Sequence, residues 1–166
     1  MAWKLLQTET LTVANTDIEI TALTENKFMS VLTHTIPTGR VQLVQYTGTG
    51  SFVTTGNEYA QRSSVNSATD TTGINSNDIQ MGTSISAVYT DTRFSVMNCI
   101  NIAGEEKLMI ARVVNANVAG AGTAPDREIF VGKWENNTTQ MNQWQSHDIE
   151  TGIQAADTNL TGFGTD

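Results

Sequence analysis

The chain has few of the residues that staple a fold or build a reactive site. Its 166 residues include one cysteine, Cys99, two prolines and two histidines, His34 and His147. A single cysteine excludes an intramolecular disulfide and a cysteine-rich zinc site. Cys99 lies in an alternating apolar run and is read as a small core residue rather than a nucleophile. The two histidines are far apart and in no recognised metal-ligand spacing.

Positive charge is also scarce. Nine Lys and Arg stand against 17 Asp and Glu, a net charge of −8. That balance argues against nucleic acid as a partner, which needs a basic footprint on its phosphates. It argues equally against docking on an anionic membrane. No run reaches the roughly 18 apolar residues of a membrane-spanning helix. Residues 1–6 lead into Gln7, Thr8 and Glu9 rather than an apolar stretch, which predicts no secretory leader.

Thr, Asn and Ser are abundant instead, at 26, 14 and 10 residues, or 50 of 166. Helix-rich proteins draw on Ala, Leu, Glu and Lys, so a helical bundle is excluded, as is a heptad coiled coil. The length fits one domain over residues 1–166, with a core large enough to stand without staples.

The dominant hydrophobic period is two, the period of a strand. Residues 8–13 and 17–22 alternate on either side of Asn15-Thr16 and predict an opening hairpin. Strands are further predicted over 28–36, 41–46, 51–54 and 58–65. Residues 66–77 carry no large apolar side chain except Ile74 and read as a long surface loop. Order resumes at 79–81 and 85–89, where a short helical turn is an alternative.

The strongest strand signal is 93–102, where Phe94, Val96, Asn98, Ile100 and Ile102 share one parity. Ser95, Met97 and Cys99 take the other. A turn at Gly104-Glu105-Glu106 leads into 107–115, with Leu108, Ile110, Arg112 and Val114 on one face. Arg112 interrupts that face, so it snorkels to solvent or pairs with a carboxylate. Residues 116–125 are a second irregular stretch. Strands follow at 127–134, 140–149 and 159–163, with a short helix as the alternative for 140–149, where Met141, Trp144 and His147 recur every three residues; the last strand is expected to lie beside the first. Short polar connections leave no room for crossover helices, so the sheets should be antiparallel. The expected fold is all-β, an antiparallel, jelly-roll-like β-sandwich of about eight to ten strands.

Reactive constellations are thin. No Gly-x-Ser-x-Gly elbow is present, and Glu105-Glu106 is a solvated turn rather than an acid/base pair. Residues 48–50 and 120–122 are glycine-rich but lack the Lys-Ser/Thr of a phosphate loop. Oxygen donors over 70–78 do not fall in a calcium-loop register. The reading is a protein that is not an enzyme, with no cofactor and no metal. Trp3, Trp134 and Trp144 are the candidate contact residues, either at a subunit interface or as stacking platforms for sugar rings; core packing is the alternative for each. The irregular stretches 66–77 and 116–125 are candidate contact loops.

Several blocks add a resemblance. Met1-Ala2-Trp3-Lys4-Leu5-Leu6 opens a Thr-rich alternation. Ile102-Ala-Gly-Glu-Glu-Lys-Leu108, Gly120-Ala-Gly-Thr-Ala-Pro-Asp-Arg127 and Val131-Gly-Lys-Trp134 follow, and Ala156-Asp-Thr-Asn-Leu-Thr-Gly-Phe-Gly164 closes the chain. With these blocks the chain resembles small β-rich virion structural proteins of tailed phages and marine viruses. The resemblance implies a jelly-roll-like module assembled in the host cytoplasm and carried on the virion, in a capsid-decoration, tail or fibre role. Its implied partners are copies of itself in a symmetric homo-oligomer and other virion proteins such as a major capsid protein. A receptor- or glycan-binding module at a fibre tip, with a host-surface glycan as partner, is the alternative.

Overall fold

The computed structural model describes residues 2–21, 23, 26–36, 42–47, 59–66, 71–76, 79–81, 92–116, 121–122, 124–148 and 154–166. These residues form twelve strands: β1 (Lys4–Thr10), β2 (Asp17–Ile20), β3 (Phe28–Thr35), β4 (Gln42–Thr47), β5 (Tyr59–Val65), β6 (Thr71–Ser76), β7 (Ile79–Met81), β8 (Arg93–Ile100), β9 (Lys107–Asn115), β10 (Asp126–Trp134), β11 (Gln143–Asp148) and β12 (Asn159–Thr165). Among the described residues there is no helix. Eight strands make one sheet in the order β1-β12-β3-β8-β9-β10-β5-β6, and four make a second, β2-β11-β4-β7. Every ladder is antiparallel. The large sheet has open edges at β1 and β6, so it is not a barrel. One apolar cluster joins Ile18, Ile20 and Trp144 of the small sheet to Met29, Met97, Phe130 and Trp134 of the large one, in a sandwich-like arrangement.

The expected pairing of the last strand with the first is present, with Thr10 opposite Asn159 and Leu5 opposite Phe163. Three sequence expectations change. There are twelve strands rather than eight to ten. Residues 8–13 and 17–22 are not a hairpin, because β1 joins the large sheet and β2 the small one. The segment between them crosses the sandwich edge, held where Leu11 N donates to Thr158 O (2.9 Å) and Gln154 N to Asn15 O (2.7 Å). The predicted loop 66–77 contains β6, whose Thr71, Thr72, Gly73 and Ser76 pair with β5 through the backbone without an apolar signature. The predicted strand 51–54 and the segment 85–89 lie outside the described residues.

Inside the sandwich, alternation places Met29, Met97, Cys99, Met109 and Phe130 on the covered face of the large sheet. That face turns polar toward one end, where Thr33, Ser95, Arg93 and Asn115 are buried. Arg93 Nε donates to Asn115 Oδ1 at 2.6 Å, and the Thr33 and Ser95 hydroxyls bond each other. At the other end Lys107 is fully buried, its ammonium donating to the carbonyls of Ile102 (2.8 Å), Glu105 (2.5 Å) and Asn136 (3.1 Å). Burial lowers the Lys107 pKa, and the neighbouring Glu105 carboxylate opposes that shift. Asn101 plays a similar part for the β10–β11 connection: its amide donates to Met141 O (3.0 Å) and accepts from Met141 N (2.5 Å). Gly104, at φ +87°, gives the β8–β9 hairpin a backbone conformation that L side chains rarely adopt.

Two glycines on β12 set how closely the small sheet's side of the core approaches. A Cβ at Gly162 would stand 3.1 Å from Ile20 Cδ1, and one at Gly164 would stand 2.6 Å from Asn26 Cγ and 2.8 Å from Asn26 Cβ. Gly164→Ala is therefore expected to cost about 1–3 kcal/mol in urea denaturation, and more than Gly162→Ala, whose nearest neighbour is a mobile methyl. A chain lacking residues 159–166 should lose its cooperative thermal transition by circular dichroism, because β12 pairs with both β1 and β3. A chain lacking only the edge strand β1 should still melt cooperatively, at a lower temperature.

Candidate functional site

The strands at the centre of the large sheet are apolar on both faces. On β9 the covered face carries Met109, Ala111 and Val113, while the opposite face carries Leu108, Ile110, Arg112 and Val114. On β8 the parity that the sequence marks as larger and more apolar, Phe94 to Ile100, points away from the core. On β10 Glu128, Phe130 and Trp134 are buried, so Ile129, Val131 and Lys133 are directed outward.

Register joins these outward positions into rows. Phe94 lies opposite Val114, Ile110 opposite Val131, and Phe28 opposite Ile100. Nine large apolar side chains on this face, including Trp3 and Leu5, are each more than a third exposed. Monomeric proteins rarely show a contiguous apolar patch above roughly 300–600 Å². A trough of about 950 Å³ runs across the strands, from Trp3 ahead of β1 to Thr72 on β6, floored by Phe28, Ile100, Leu108 and Ile110. Arg62, Asn98 and Lys133 also line it. Lys133 is held by Glu106 at 2.9 Å. Arg127 donates to Asn66 O at 3.1 Å. Arg112 stays exposed between Val96 and Ile129, its two cross-strand neighbours. Its outcome is thus solvent exposure, the first of the two expected.

The three tryptophans separate. Trp3 is exposed and lines the trough. Trp134 and Trp144 are fully buried, and the Trp134 ring stacks on Tyr59 with centroids 6.3 Å apart. As contact residues for a partner or a sugar these two are corrected: their rings fill the space between the sheets, and no surface presents them. Of the candidate loops, Asn66 is exposed at the turn after β5, and Ala116, Ala121, Gly122, Ala124 and Pro125 are exposed in the second stretch.

The reactive candidates do not assemble. Cys99 points into the core, and burial pushes its thiol up to about 12. His34 lies on the outward parity, opposite Phe94, so the sheet itself separates it from Cys99. The side chain of His147 lies outside the described residues. Glu105 and Glu106 are both exposed. Among the described residues no group of three or more His, Cys, Asp or Glu is placed to hold a metal ion.

The sequence contained a signal for this face that residue-type reasoning missed. Each strand of a two-layer sandwich has one face covered by the other sheet. Strands apolar on both faces, as β8, β9 and β10 are, therefore carry more apolar surface than the fold can cover. A comparison with models of known protein families finds none that matches, and a comparison with curated proteins finds no match.

Trp134→Ala should cost about 3–5 kcal/mol in chemical denaturation, the usual price of emptying a core aromatic site. Trp3→Ala should change stability by less than ~0.5 kcal/mol. Cys99 should resist thiol reagents in the folded chain at neutral pH and react only as the chain unfolds. Its sign with pH follows: the folded state keeps a proton that the unfolded thiol releases near 9, so this contribution to stability is lost as pH rises from 9.0 to about 12. Stopped-flow labelling across that range measures both effects.

Proposed function

We propose that the chain is a virion structural protein: a non-enzymatic β-sandwich subunit, jelly-roll-like in its chain path, that assembles on a viral capsid or tail. Its role is of the decoration or fibre type, and its partners are copies of itself and another virion protein such as a major capsid protein. The observation that carries the reading is the outward apolar face of the large sheet. Such a face lowers its free energy only when another surface covers it. An assembly subunit supplies that cover as a permanent interface. The composition is in keeping with this, since a Thr- and Asn-rich chain with few reactive side chains invests in rigid strands and contacts.

A receptor- or glycan-binding module at a fibre tip is the second reading. Trp3 favours it, as an exposed ring in a trough that also presents Arg62 and Asn98. That is the combination of a stacking platform with polar groups that fixes a sugar ring.

Quantitative mass spectrometry of virus particles purified from the source that encodes the chain tests the main reading. The chain should be present at a fixed copy number per particle and should stay with the particles through density-gradient sedimentation. Particles free of the chain would overturn the assignment. Trp3→Ala distinguishes the second reading: loss of retention on a glycan array, with attachment to particles intact, would favour sugar binding.

A further inference from the structure

The outward face is charged in the opposite sense to the rest of the chain. Among the described residues its charged side chains include Arg112, Arg127 and Lys133, and the Glu106 carboxylate meets Lys133. The whole chain carries −8. Removing these three cations and one carboxylate leaves −10 on everything else.

A symmetric, face-to-face contact would set two such cationic faces against each other, with Arg112 desolvated near the middle of each. Burying like charges without carboxylates between them is costly. Nine large apolar side chains on the face nevertheless stand more than a third exposed, and such a patch calls for cover. A surface that is apolar and acidic satisfies both demands.

The chain itself carries one on the edge where β1 passes to β2. A groove of about 470 Å³ there is lined by Glu9, Asp17 and Glu19 among the polar Gln7, Thr10, Asn15 and Thr21, with the half-buried Leu11 as its apolar part. Val13, in the same connection, is 71% exposed. Glu9 accepts from Gln7 Nε2 at 2.6 Å and Glu19 from Gln145 Nε2 at 2.8 Å, neutral donors that orient the carboxylates and leave their charge in place.

We propose that the outward face of one copy receives the acidic β1–β2 edge of a second copy, in a head-to-tail contact. The inference rests on the assembly reading above and deepens it by naming the occupant and its polarity. A head-to-tail contact uses two different patches per subunit, so it closes into a ring or extends into a fibre rather than stopping at a dimer. Arg112 supplies charge pairing at the centre of the face, and Ile110, Val131 and Phe28 supply apolar burial around it.

Sedimentation velocity of the full chain, as a concentration series at ~0.05 M and ~1 M salt, tests this, since the screening length shortens to about 3 Å at the higher value. The expected result is an assembly larger than a dimer that weakens about tenfold or more at high salt. Arg112→Glu and Glu9→Gln/Glu19→Gln should each weaken it by a similar factor, with circular dichroism unchanged. Ile110→Asp should abolish it. A dimer that ignores salt and Arg112→Glu would establish a symmetric contact and overturn the proposal. A monomer at every concentration would overturn it too, whatever the particle measurement finds. Oligomers formed by a chain absent from virus particles would leave this contact standing and remove the virion assignment.

Discussion

The burial of Trp134 between the sheets decides which way the whole large sheet faces. Side chains on a strand alternate, so placing Trp134 inside places Lys133, Val131 and Ile129 outside. The ladders then carry that choice across the sheet. Phe130 lies opposite Ala111 and Met97 opposite Ala111, and Val31 lies opposite Met97. A one-residue slip in any of these registers would exchange the two faces of a strand. Tyr59 stacked on Trp134, and the fully buried Ala111 opposite Phe130, show why the present choice fits. Large rings occupy the inter-sheet space, and small side chains on the central strands leave room for them.

The price of that choice is visible at both ends of the core. Lys107 shares the inward parity with Met109 and Ala111, and Arg93 shares it with Met97 and Cys99, so both cationic side chains are buried. Each is accommodated by hydrogen bonds: Lys107 by three carbonyls, Arg93 by Asn115. The same groups tie the ends of the sandwich to its connections, since Ile102, Glu105 and Asn136 belong to the segments that leave β8 and β10. Outside, the alternation leaves an apolar trough with cations set into it. The fold and the exposed apolar face are thus two consequences of one parity, which puts the Phe130 and Trp134 rings in the core and leaves Ile129 and Val131 outside.

The sequence made most strands legible, because strand periodicity is a local property. The ends of β3, β8, β9 and β10 fall within a residue or two of the alternating runs that predict them. It was silent on β6, where Thr, Gly and Ser pair through the backbone with no hydrophobic face to announce them. It misjudged the opening hairpin, because Leu11 and the β2 isoleucines have the same alternation whether two strands pair with each other or with strands from the far end of the chain. Of the three tryptophans, Trp3 is exposed on the outward face, while Trp134 and Trp144 follow the core-packing alternative, since a tryptophan in a strand has no local mark of which face is covered.

By itself, then, the sequence determined the class of structure. Its Thr-rich alternation, single cysteine and scarcity of helix formers leave strands as the only regular element, and polar connections make their sheets antiparallel. What only the tertiary structure decided is which of two apolar faces on β8, β9 and β10 is inside. Both parities of those strands have enough hydrophobic surface to be a core, so local free energy barely distinguishes them. The distinction comes from volumes contributed by distant elements, the rings of Trp144 and Tyr59 and the approach of Ile20 to Gly162, which no window of sequence contains.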